Sequence, residues 1–137
     1  MAANTKIASA VQILCVIAYK GSGGTTAEAI ARSLDTNPVV VRRMMKDLQR
    51  ASLVEIRPGK DGGVQLRREP DAITLEDIHE AVEGHASVFA LRPGGNPKCP
   101  VNGHMKSALP SIFHAVDEAV AMRLRQTTLA SLSRPIA

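Results

Sequence analysis

The 137-residue sequence predicts a mainly α winged helix-turn-helix with a two-stranded β wing and a long C-terminal dimerisation helix. Three observations carry that fold class. A capped, cationic helical segment follows a short one across a tight turn, two brief alternating runs around a glycine-rich turn come next, and a long apolar stripe lies near the end. The length suits one compact domain with an extra helix or two and makes a two-domain enzyme a poor reading. Hydrophobic residues supply 45% of the chain, but with one Tyr, two Phe and no Trp the core must be filled by aliphatic side chains and Met.

Ile7, Val11, Leu14, Cys15 and Ala18 recur at helical spacing, which predicts an amphipathic helix from about Thr5 to Tyr19, ended by Gly21, Gly23 and Gly24. Thr25 stands three residues before Glu28, the pairing of a capping box, so a second, short helix is expected through about Leu34. Asn37 before Pro38 opens a third, because Asn caps free N–H groups and proline loses nothing at the first helical position. Val41, Met44, Met45 and Leu48 mark its inner face, which leaves Val39, Arg42, Arg43, Lys46 and Arg50 on the other side.

The runs Leu53–Arg57 and Val64–Leu66 flank Pro58–Gly63 and read as a β-hairpin; Gly62 and Gly63 permit a tight tip that carries Lys60. Thr74 caps a further helix with Leu75, Ile78 and Val82 on one face and Gly84 as its stop. Arg92 to Pro100 is rich in Pro, Gly and Asn and reads as a loop. A short helix is expected from Val101 to Leu109, with Pro110 breaking or restarting it. Leu109, Ile112, Phe113, Val116, Val120 and Leu124 then form the apolar stripe, read as a subunit interface. The expected division is residues 1–68 for DNA binding, 69–100 for a connecting helix and loop, 101–132 for dimerisation, and 133–137 as a flexible tail.

Charge is unevenly placed. Residues 1–68 hold eleven Lys/Arg against five Asp/Glu, and the remainder six against eight, within a whole-chain charge of +4. Polyanion affinity therefore belongs to the N-terminal half. A duplex major groove accepts one α-helix, so Asn37 and Val39 are candidates for base edges, and Arg42, Arg43 and Lys46 for guanine or phosphate. The glycine tip would carry Lys60 toward an adjacent groove. Scarcity of aromatic rings argues against readers of single strands or RNA, which stack bases on exposed rings.

At this point the sequence resembles the Rrf2 family of bacterial regulators. The resemblance runs through NTKIASAVQILCVIAY, NPVVVRRMMKDLQRASLV, GKDGGVQL, ITLEDIHEAVEG and NPKCPVNGHMKSAL, in that order and spacing. It implies a homodimer whose recognition helices enter major grooves, whose wings touch minor grooves, and whose long C-terminal helix crosses to the partner subunit. It adds Thr5 and Thr26 as phosphate contacts and makes Asn37 to Lys46, Val40 included, the base readers. Cluster-binding members resemble one another in three closely grouped cysteines where this chain has Cys99 alone. An iron-sulfur cluster ordinarily needs four protein ligands, so no cofactor is expected.

Cys99, within Pro97-Lys98-Cys99-Pro100, sits beside an ammonium and before a helical segment, both of which favour thiolate. It is the candidate redox residue, with Cys15 as a resolving partner if the fold brings them near. His79, His85, His104 and His114 lack metal-ligand spacing, and no metal site is expected. The first apolar stretch is too short to span a bilayer and lacks a cleavage site, so a cytoplasmic protein without membrane contact is expected. The signal is not specified by the sequence. Two rivals remain: a winged helix that binds proteins without touching DNA, and a Cys-His enzyme using Cys99 with His104 or His114, for which no orienting acid or oxyanion loop can be placed.

Overall fold

In the computed structural model, which describes residues 4–59 and 62–136, a central helix α1 (Lys6–Lys20) is followed after a single 3-10 turn by α2 (Ala27–Leu34) and α3 (Pro38–Arg50). Strands β1 (Val54–Arg57) and β2 (Gly63–Leu66) pair antiparallel, with Ile56 opposite Val64 and Arg57 opposite Gly63. Helix α4 (Leu75–Glu83), the long α5 (Pro100–Arg125) and the short α6 (Leu129–Ser133) complete the order. No helix among the described residues is long and apolar enough to cross a membrane.

Helix α1 packs against α2, α4, α6 and β2, which explains why its sequence is apolar on several sides. Its most buried residues are Ala10, Ile13, Leu14 and Ile17, whereas Ile7, Val11 and Cys15 are only partly covered. The buried face is thus rotated from the one the spacing of Ile7, Val11 and Cys15 suggests, because neighbours on several sides replace a single apolar stripe. The second helix starts one residue later than the Thr25–Glu28 pairing implies. Thr26 is its cap, accepting from the Ala29 N–H at 3.1 Å, while Thr25 is buried and its carbonyl accepts from the Val64 N–H at 2.8 Å. Asp35, at φ 53°, closes α2, a left-handed position that Asp tolerates. Asn37 then caps α3 through the Val39 N–H at 2.9 Å.

Pro110 does not break the C-terminal helix, contrary to expectation: α5 is continuous over 26 residues, about 39 Å at 1.5 Å per residue. The carbonyl that proline leaves unpartnered is that of Lys106, an exposed residue that water can serve. A second correction concerns the residues grouped with dimerisation as 101–132. After α5 the chain turns back, the Leu75 N–H donates to the Thr127 carbonyl at 2.9 Å, and Leu129 and Ala130 are buried in the N-terminal core. Helix α6 therefore packs on α1 and does not continue α5.

Candidate nucleic-acid interface

Helix α3 buries Val41, Met45 and Leu48 and so presents Val39, Val40, Arg42, Arg43, Lys46 and Arg50 to solvent. Its orientation follows from sequence: apolar side chains at i, i+4 and i+7 fix one face in the core, and the charges take the other. Arg42 and Lys46 line a cleft of about 310 Å³ together with Thr26 and the wing residues Arg57, Gly59 and Gly62. Helix α3 and the wing therefore share one face. Lys60 lies outside the described residues, but Gly59 and Gly62 on either side of it line this cleft.

Two glycines set the wing's position. A Cβ on Gly62 would fall 1.9 Å from the Arg57 carbonyl oxygen, and one on Gly63 would fall 2.8 Å from that of Thr25. Only glycine lets the hairpin close and its second strand press against the start of α2.

Electrostatics divide the cations into two sets. Arg42 donates to the Glu28 carboxylate across the α2–α3 angle, Arg57 faces Glu55 at 3.5 Å, and Arg50 faces Asp47 at 3.2 Å. Arg43 and Lys46 have no ion pair among the described residues. The Glu28 carboxyl is held below its usual range, first by its own backbone N–H near the helix N-terminus and then by Arg42. Sequence alone marks Glu28 only as a capping-box partner of Thr25 and does not single out Arg57; the signal available for the Glu28–Arg42 pair was an acid in the first turn of the helix preceding a cationic one. Thr5 precedes α1 with its side chain making no cap bond, and Thr26 caps α2 through its hydroxyl oxygen, which leaves the hydroxyl hydrogen uncommitted by that bond. Asn37 Oδ1 is tied to the cap of α3, a bond that leaves its second lone pair and the Nδ2 donors uncommitted.

The expected interface stripe divides on α5. Phe113 meets the Phe89 ring at 5.7 Å between centroids, and Val120 lines a cleft with Glu76, His79 and Glu80 of α4. Leu109, Val116 and Leu124 are likewise half-buried, on the face shared with these two; Ile112 is 54% exposed. Ile112 falls instead on a seam of Val101, Met105, Ala108, Ala115, Ala119 and Met122, whose alternating spacing of four and three places all seven within an arc of about 100°. No residue of α5 is fully buried in the single chain. Sequence reading chose the larger side chains and overlooked this seam, which a heptad count would have found.

Cys99 precedes α5, half-buried, in a cleft of about 410 Å³ with Arg92, Lys106 and Met105. Cys15 lines a different cleft, between α1 and α2, that shares no residue with the first, and burial pushes its thiol pKa up. Within the single chain the two thiols line separate clefts and are both free.

A family model described as an iron-dependent transcriptional regulator, Rrf2, matches residues 3–135. YwnA of Bacillus subtilis, which carries the name of an HTH-type transcriptional regulator, is 36% identical over 126 residues, covering 92% of each chain. The HTH-type transcriptional regulator CymR of the same organism is 29% identical over 134 residues, covering 97% of this chain and 90% of its own. The solved structure of CymR, titled the global cysteine regulator of B. subtilis, superposes with a TM-score of 0.73 at 27% identity, covering 100% of this chain and 99% of that one. The donor set here does not fit an iron site: the Cys99 cleft contains no His, Asp or Glu, and no three such groups gather among the described residues.

Proposed function

The chain belongs to the Rrf2 family of transcriptional regulators, and on that premise we propose that it is a homodimeric repressor of duplex DNA that works without an iron-sulfur cluster and responds to oxidants through Cys99. The observation that carries the DNA reading is the shared face of α3 and the wing, where Arg42, Lys46 and Arg57 line one cleft and Arg43 and Lys46 remain unpaired among the described residues. Unpaired cations are the ones that can neutralise phosphates without first breaking an ion pair. Thr5 and Thr26 supply hydroxyl donors to the backbone, and Arg42, held at one edge by Glu28, keeps its remaining donors for a guanine.

Pairing of two chains is supported by the apolar seam of α5, which would zip against its own copy and set two recognition helices about 34 to 36 Å apart, one turn of duplex. Such a dimer represses by occupying the promoter. Cys99 stands two residues before the seam's first member, Val101, so its oxidation would place a polar group where the two subunits begin to pair. Burial makes Cys15 a poor nucleophile and leaves Cys99 as the residue to follow by mass spectrometry after mild peroxide. An unmodified Cys99 with unchanged DNA affinity would end that part.

Selection of bound duplexes from a random pool tests the main reading. A two-fold site with half-sites one helical turn apart is expected. Failure to enrich any duplex would favour a protein-binding module instead.

A further inference from the structure

Resting on the duplex-DNA reading above, we propose that Val39 and Val40 recognise the 5-methyl groups of thymines in the major groove, so that the operator carries thymines opposite the leading turn of α3. Three valines follow Pro38, and only Val41 enters the core; Val39 is 54% exposed and Val40 45%. An exposed valine is a poorer helix former than Ala, Glu or Lys, and these two gain no burial within the chain in return. Their neighbours along the helix are the cations Arg42, Arg43 and Lys46, which draw this turn toward a phosphate-lined groove.

The rest of the turn has few polar alternatives. Asn37 Oδ1 accepts from the Val39 N–H and is tied to the cap, Pro38 has no polar side chain, and Val41 is buried. Within the helix, the side chains exposed before Arg42 are thus two stiff, branched hydrocarbon surfaces, Val39 and Val40. Among the groups that base pairs display in the major groove, the thymine methyl is the apolar one. Valine has one dominant side-chain rotamer in a helix, so docking against a methyl costs little ordering.

The test replaces each thymine of the selected duplex, one at a time, by deoxyuridine, which deletes the methyl and keeps the pairing edge and the O4 acceptor. At one or two positions per half-site the wild-type protein should lose about fourfold in affinity, the ~0.8 kcal/mol of one buried methyl-sized group. Val39→Ala and Val40→Ala, both surface changes whose helicity circular dichroism verifies, should bind thymine duplex more weakly and no longer distinguish deoxyuridine at those positions. Equal binding of thymine and deoxyuridine duplexes at every position, with sequence selection and salt dependence intact, would overturn thymine reading and leave DNA binding standing. Absence of any salt-dependent duplex binding would overturn both.

Discussion

Replacing Ile112 by Glu should abolish the pairing of subunits proposed above without unfolding the chain. Ile112 is 54% exposed in the single chain, so a partner has about half of its surface left to cover. Full burial of an isoleucine is worth roughly 1.5–3 kcal/mol, which makes the lost share about 1 kcal/mol per chain and about 2 kcal/mol per dimer. Two-fold symmetry doubles the substitution and sets two carboxylates into one apolar seam, where each ion costs several kcal/mol to desolvate. A total of at least ~4 kcal/mol corresponds to roughly a thousandfold weaker association. Sedimentation equilibrium at micromolar concentration should report monomers, and affinity for the full two-fold site should fall to nearly that for a half-site. Val116→Ala provides the contrast: on the half-buried face, it should lower thermal stability and leave the dimer intact. A dimeric Ile112→Glu variant with full operator affinity would refute the assignment of the seam.

Three further changes probe the scaffold. Leu129→Ala removes a wholly buried side chain from α6 and should cost about 2–5 kcal/mol in urea unfolding, although a fraying tail at that position would predict almost none. Gly63→Ala drives a methyl toward the Thr25 carbonyl and should weaken DNA binding through a displaced wing, with the dimer unchanged by light scattering. Glu28→Gln should flatten the acid side of the stability curve. The folded carboxyl titrates below its unfolded value, so its stabilisation is present at neutral pH and lost as pH falls through that lowered value; urea midpoints of the two proteins should converge in acid.

Much of the reading head was legible because local chemistry dictated it. Asn37-Pro38 could hardly be anything but a helix start, and Val41, Met45 and Leu48 fixed which side of α3 the cations had to take. Less legible were features decided by tertiary neighbours. Thr25 and Thr26 both offer a hydroxyl for capping, and the choice between them is made by β2, whose Val64 N–H claims the Thr25 carbonyl. Pro110 forbids one hydrogen bond but not a helix whose freed carbonyl is solvated. The last turn, Leu129-Ala130, is too short to show a period, so its burial against α1 left no mark in the sequence. On α5, large side chains drew attention to the face that packs against its own chain, while the small residues Ala108, Ala115 and Ala119 hid the seam in plain composition.

Duplex binding through the outward cations of α3 is most directly tested by measuring affinity for the selected duplex across a range of salt for the wild type and for Arg43→Ala/Lys46→Ala. Each phosphate neutralised contributes about −0.9 to the slope of log affinity against log salt, so losing two contacts per subunit should make the slope shallower by about 1.8 per subunit, with urea stability unchanged. Retention of the wild-type slope and affinity by the double variant would contradict the assignment of this face to DNA.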